Sequence, residues 1–171
     1  MSVTDPREEY DDLSIRREEV TLDADEFESL RDSEVVPSDW VAIGVILNAQ
    51  GQVLLAYNGV VESWVLTGGP LQAGESLSEA LVRGVREETG VPVTPNRPRA
   101  LDEFVCHHGT ETDGFCAVVF DANPESTKIR DDLGEPGELI EEARWFDDLP
   151  ENVFERKSSV EVLARCRAER T

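Results

Sequence analysis

The sequence predicts an α/β domain in which a mixed β-sheet lies between helices. Three observations predict it. Short apolar, β-branched segments recur along the chain with turn residues between them. Two longer segments, residues 77–89 and 150–170, carry helical spacing and helix-end signals. Strands precede, separate and follow these helices, an interleaving that packs helices against a sheet. At 171 residues the chain suffices for one well-packed domain with terminal extensions.

Residues 1–20 are charged and aperiodic apart from Leu13 and Ile15, and read as a loose arm or an edge strand. Asp23 and Glu26 cap a short helix through Arg31, with Phe27 and Leu30 facing inward. Pro37 and Ser38 punctuate the chain, dividing an acidic N-terminal extension, residues 1–37, from the main domain, residues 38–171. Trp40 to Leu47 is a near-continuous apolar run and reads as a central strand. Asn48 to Gly51 is a turn, and Gln52 to Tyr57 is read as the hairpin partner. Trp64-Val65-Leu66 is a strand entering the Gly-rich loop Thr67-Gly68-Gly69-Pro70.

The helix that follows is the most sharply bounded element. Ser76 and Glu79 form an S-x-x-E capping box, so it begins at about Leu77. It ends at Thr89, because Gly90 suits a left-handed terminus and Pro92 forbids continuation. At about 100° per residue, Ala80, Arg83, Gly84, Glu87 and Glu88 share one broad face, and Leu81, Val82, Val85 and Thr89 form the face to bury.

Pro92, Pro95 and Pro98 mark a stiff connection. Ala100 to His107 and Phe115 to Asp121 form a second hairpin about the turn at residues 108–114. Residues 122–138 form a long polar loop, and Leu139 to Phe146 is a further strand. Pro150 to Arg170 is the last helix, with Val153, Val160, Leu163 and Ala164 directed inward. No internal repeat is present.

The formal net charge is −21, and lysine occurs only at 128 and 157. Such composition resembles that of proteins adapted to high salt, where strong charge preserves solubility. No basic patch is available to neutralise phosphates, which excludes duplex nucleic acid as the expected partner. No apolar run approaches a membrane span, and the acidic start MSVTDPREEYDD is unlike a signal peptide, so a cytoplasmic protein is expected. Cys106, Cys116 and Cys166 form no C-x-x-C pair and read as buried thiols rather than a disulfide or zinc site.

Residues 69–91 carry the chemistry. Adjacent carboxylates at Glu87 and Glu88, behind a loop whose backbone carbonyls are accessible, are hard oxygen ligands suited to Mg²⁺ or Mn²⁺. The window resembles the Nudix box, G-x5-E-x7-R-E-U-x-E-E-x-G-U with U a bulky aliphatic residue: Gly69, Glu75, Arg83, Val85, Glu87, Glu88, Gly90 and Val91 match. Gly84 departs from it, where the family commonly has a glutamate that binds metal or acts as base. The resemblance covers roughly residues 38–166, with Glu142 to Phe146 and Leu149-Pro150 similar to the family's final strand and turn.

The resemblance implies a Nudix-type α/β/α sandwich that hydrolyses a nucleoside diphosphate linked to another group X, with Mg²⁺ or Mn²⁺ as cofactor. Its substrate is then a nucleotide-type small molecule. Glu87, Glu88 and the Gly69 carbonyl become the metal ligands. Glu75 and Arg83 form a salt bridge tying loop to helix, with Glu75 near a second metal. With Gly84 unable to act, Glu138 is the first choice of base, ahead of Glu135, His107 and His108. At Gly84 itself, close helix packing and a water-filled vacancy are both open. The other function class is a degenerate Nudix domain that binds a nucleotide or nucleotide sugar without turnover. Residues 1–37 are candidates to cross to a second subunit in a homodimer.

Overall fold

The computed structural model describes residues 4–32, 39–134 and 139–170. Its elements are α1 (Pro6–Glu9), β1 (Ser14–Thr21), α2 (Ala24–Asp32), β2 (Trp40–Ile46), β3 (Val53–Asn58), β4 (Ser63–Pro70), α3 (Leu77–Thr89), β5 (Val93–His108), β6 (Glu111–Pro124), β7 (Ile140–Phe146) and α4 (Arg156–Glu169). The strands form one seven-stranded sheet in the order β1-β5-β6-β2-β4-β3-β7. Pairs β1–β5 and β2–β6 are parallel and the other four are antiparallel, so the sheet is mixed.

Side-chain alternation along the central strands makes two cores. Ala42, Ile46 and Leu54 turn to one face and pack with Leu77, Leu81 and Val85 of α3. Val45, Leu47, Val53 and Leu55 turn to the other and pack with Val162, Leu163 and Cys166 of α4. The result is the α/β/α sandwich that the alternation of strands and helices predicts. No helix among the described residues is long and apolar enough to cross a membrane.

Strand β4 changes partners midway. Ser63–Leu66 pair with β3, whereas Thr67–Pro70 pair with β2. This corrects the expected hairpin of β2 and β3. The turn forms, with the Asn48 side chain accepting from the Gln50 and Gln52 N–H groups, but only Leu47 and Val53 bridge across it. The edges of β2 are taken by β6 and β4, so β3 continues to the far side of β4.

Further boundaries differ from the sequence reading: β6 runs Glu111–Pro124, beyond the expected Phe115 to Asp121 at both ends, so the turn is shorter than residues 108–114 and the polar loop starts after residue 124. The Pro92–Pro98 segment is no mere connection: β5 runs through it, with register shifts between Pro95 and Arg97 and between Pro98 and Ala100. Proline donates no ladder hydrogen bond, so the strand is irregular where the prolines sit. The last helix starts at Arg156, not Pro150. Val153 instead bridges to Trp64, whose carbonyl accepts from the Phe154 N–H. The inward face of α4 is accordingly Ser159, Val162, Leu163 and Cys166, while Val160 and Ala164 are exposed.

In the N-terminal region, residues 14–21 are the edge strand β1, paired with β5 from Ser14↔Ala100 to Thr21↔His107. Helix α2 buries Phe27. Cys106 and Cys166 are buried and Cys116 half-buried, all as free thiols, and burial pushes the Cys166 thiol up to about 12.

Candidate functional site

Helix α3 has the predicted ends. The Ser76 hydroxyl accepts from the Glu79 N–H at 3.1 Å, and the Ser76 N–H donates to the Glu79 carboxylate at 3.0 Å. Gly90 closes the helix at φ 81°, a conformation that favours glycine. The buried face is wider than expected: Ala80 and Gly84, read as part of the open face, lie inside, and Val82, read as inward, is half-buried. The cause is how closely α3 lies on β4.

Gly84 makes that approach possible. A Cβ there would stand 2.4 Å from the Gly68 carbonyl carbon and 2.5 Å from the Gly69 nitrogen. The Gly84 Cα itself is 3.4 Å from where a Cβ of Gly69 would be. Helix and loop meet backbone to backbone, and no water-sized space replaces the missing side chain. Close packing is the outcome, and the water-filled vacancy is not.

Arg83 is the knot of the loop. Its Nε donates to Glu75 at 2.7 Å and its Nη2 to the same carboxylate at 3.1 Å. Nη2 also donates to the Pro70 carbonyl at 2.6 Å, and Nη1 to Glu87 at 3.2 Å. Glu75 also accepts from the Gln72 N–H at 2.9 Å. Its hydrogen bonds from Arg83 hold the Glu75 carboxyl below its ordinary range. Glu75 and Arg83 thus fasten the start of the loop to the second turn of the helix.

The adjacent carboxylates differ. Glu87 is 63% exposed at its side chain. Glu88 turns inward and accepts from the Gly68 N–H at 2.8 Å. Burial pushes its carboxyl up to about 7, with Glu87 adding to the rise and the Gly68 N–H opposing it. The Glu88 side chain is half-buried, and a partly desolvated carboxylate whose only hydrogen bond among the described residues is one backbone N–H is of the kind that a nearby cation stabilises. Among the described residues no three His, Cys, Asp or Glu side chains are grouped to hold a metal. In donor chemistry the two glutamates and the Gly69 carbonyl are hard oxygens of the kind that Mg²⁺ or Mn²⁺ takes, ions that use few protein oxygens and complete their shells from water and phosphate.

An open groove of about 520 Å³ runs along the outer side of α3, lined by Glu79, Val82, Arg83, Arg86, Glu87 and Pro95. The sequence reading passed over Arg86, which lies in the helix between two residues of the motif and carries no signal of its own. Glu135 and Glu138 lie outside the described residues. His107 and His108 end β5 at the opposite extremity from Pro95. His107 bonds Glu19 at 3.0 Å and Thr112 at 3.2 Å, and His108 bonds the Leu22 carbonyl at 3.0 Å, so both serve the join between β5 and the N-terminal region. Tyr57 and Trp64 pack edge to face at 5.4 Å, and Trp64 meets Phe146 at 4.8 Å, which makes Trp64 a structural aromatic.

Comparison with known proteins bears on this arrangement. The NUDIX domain model matches residues 37–160. The chain is 36% identical over 80 residues to a Bacillus subtilis (strain 168) protein provisionally named an 8-oxo-dGTP diphosphatase, covering 43% of this chain and 54% of that protein. It is 36% identical over 67 residues to the Homo sapiens 8-oxo-dGDP phosphatase NUDT18, covering 37% of this chain and 21% of that protein. The match therefore spans about half of the first relative and about a fifth of the second. Among solved structures, a UDP-X diphosphatase superposes with a TM-score of 0.59 at 19% identity, covering 88% of this chain and 73% of its own. An ADP-ribose pyrophosphatase from Streptococcus suis 89-1591 superposes with a TM-score of 0.55 at 20% identity, covering 77% and 92%. At these identities the structural likeness is one of fold.

Proposed function

The chain belongs to the NUDIX domain family, and on that premise we propose that it is a divalent-metal-dependent pyrophosphohydrolase acting on a nucleoside diphosphate linked to another group X. The observation that carries this reading is the Glu88 carboxylate, half-buried beside Glu87 and held against the Gly68–Gly69 loop by the Gly68 N–H alone among the described residues. Glu87, Glu88 and the Gly69 carbonyl are the proposed ligands of Mg²⁺ or Mn²⁺. When bound, the cation supplies positive charge that lets an anionic diphosphate be approached by water.

The chain's own residues do the rest. The bidentate Arg83–Glu75 pair and the Arg83–Pro70 bond keep the loop carbonyls in place against the helix. The Gly68 N–H orients Glu88. Glu138 is proposed as proton acceptor on its position in the sequence. The acidic composition favours a small nucleotide-type substrate over duplex nucleic acid. The matched relatives are named for nucleotide phosphatases and diphosphatases, which supports the substrate class without choosing a member.

One observation favours a second reading, a domain that binds nucleotides without turnover. Gly84 is built into the packing, so the carboxylate usual there in the family has no room. A panel of nucleoside triphosphates, ADP-ribose, NADH, dinucleoside polyphosphates and nucleotide sugars, incubated in high KCl with Mg²⁺ or Mn²⁺, separates the two. Metal-dependent release of phosphate or nucleotide from at least one compound is expected. Ligand binding with no release across the panel would establish the second reading instead.

A further inference from the structure

Of sixteen basic residues two are lysines, leaving fourteen arginines, all within the described residues. Thirteen have a hydrogen-bond or ion-pair partner at the guanidinium: twelve contact a carboxylate, and Arg156 donates to the Pro150 carbonyl. Arg86 alone among the described residues has none. In a chain of net charge −21, an arginine without a carboxylate partner is the exception.

Its position supplies the alternative partner. Arg86 lines the groove along α3 together with Arg83 and Glu87. The acidic groups there are already engaged. Glu75 is paired with Arg83, Glu79 accepts from the Ser76 N–H in the capping box, and Glu87 contacts Arg83. The groove thus offers one uncommitted guanidinium one residue before the Glu87–Glu88 pair. Guanidinium forks bind phosphate oxygens in charge-assisted pairs.

Resting on the hydrolase reading, we infer that Arg86 is a specificity residue that takes an anionic group of the substrate lying beyond the cleaved diphosphate. The substrate class is therefore a nucleotide whose X group carries phosphate or other negative charge, in preference to one whose X is a neutral sugar.

The test compares Arg86→Ala and Arg86→Lys with the unmodified protein on a nucleoside triphosphate and on ADP-ribose, whose outer group is neutral. For a charge-assisted contact worth a factor of about ten, Arg86→Ala should raise KM for the triphosphate about tenfold with little change in kcat. KM for ADP-ribose should stay within about twofold, and Arg86→Lys should recover part of the loss because it keeps the charge without the fork. Equal effects on both substrates, or none, would overturn the inference. If the unmodified protein hydrolyses neither, the hydrolase reading falls on its own. Arg86 is then judged by calorimetric titration with Mg²⁺-tripolyphosphate: about tenfold weaker binding in Arg86→Ala upholds its role, and equal or absent binding in both proteins refutes it.

Discussion

Gly84 of the helix and Gly68 of the strand beneath it meet backbone to backbone, with a Cβ at residue 84 placed 2.4 Å from the Gly68 carbonyl carbon. Glycine in a helix interior ordinarily costs about 1 kcal/mol relative to alanine. Here it is the condition for α3 to lie on β4 and for Glu88 to reach the Gly68 N–H.

Gly84→Ala should therefore destabilise the protein, although it improves helix propensity. Overpacking of this kind costs roughly 1–3 kcal/mol, so a net loss of up to about 2 kcal/mol remains after the propensity gain of about 1 kcal/mol. Gly84→Glu should lose more and gain no rate, since the added carboxylate cannot occupy a vacant ligand position. Urea unfolding midpoints, with hydrolysis rates on the same samples, check both. A stabilised Gly84→Ala would show that the helix stands farther from the loop.

Arg83 and Glu75 should be coupled. Their pair is bidentate with side chains only 21% and 18% exposed, so a double-mutant cycle with Arg83→Ala and Glu75→Gln should give about 1–2 kcal/mol of interaction. Arg83→Lys should not restore it, because an ammonium holds its donors on one nitrogen and cannot span acceptors that Arg83 reaches from Nε, Nη1 and Nη2 separately. Additive losses would reduce the pair to a surface ion pair.

Glu88 predicts a pH dependence of definite sign. Its carboxyl titrates at about 7 in the folded chain against an ordinary 4.5. Between those values the folded chain holds a proton that the unfolded chain has released, so metal-free stability should fall as pH rises through the window and level off above about 7. Glu88→Gln should flatten this fall. Because a metal ligand must be deprotonated, Mg²⁺ affinity should rise by up to about tenfold per pH unit below that pKa and plateau above it. Thermal melts with and without Mg²⁺ from pH 5 to 8 read both effects.

How much of this was legible in the sequence depends on whether the signal was local. The ends of α3 are set by Ser76, Glu79 and Gly90 through short-range hydrogen bonds and one backbone conformation, and these are visible residue by residue. The salt bridge of Glu75 with Arg83 follows from the motif. What stayed hidden depends on long-range pairing. Nothing local in Gln52–Tyr57 shows that β4 will come between β2 and β3. Nothing in Pro150–Glu155 shows that Val153 will bridge to Trp64 rather than begin a helix. The burial of Gly84 depends on Gly68 and Gly69, sixteen and fifteen residues earlier, and reads as a gap until strand and helix are superposed. The isolation of Arg86 emerges only after the partners of every other arginine are known.

Salt should stabilise the protein. A net charge of −21 repels itself, and the screening length falls from about 10 Å at 0.1 M to about 3 Å at 1 M salt. Tm measured by circular dichroism should rise between 0.1 and 2 M KCl. A flat or falling Tm would remove the reading of the acidic surface as an adaptation to high salt.

The most direct measurement is a Mn²⁺ titration followed by electron paramagnetic resonance on the unmodified protein, Glu87→Gln and Glu88→Gln, with folding of each checked by circular dichroism. Saturable Mn²⁺ binding that Mg²⁺ displaces, weakened about tenfold or more in each variant, is the expected result. Mn²⁺ binding of equal strength in all three proteins, or none in the unmodified protein with nucleotide present, would contradict a metal centre at Glu87 and Glu88.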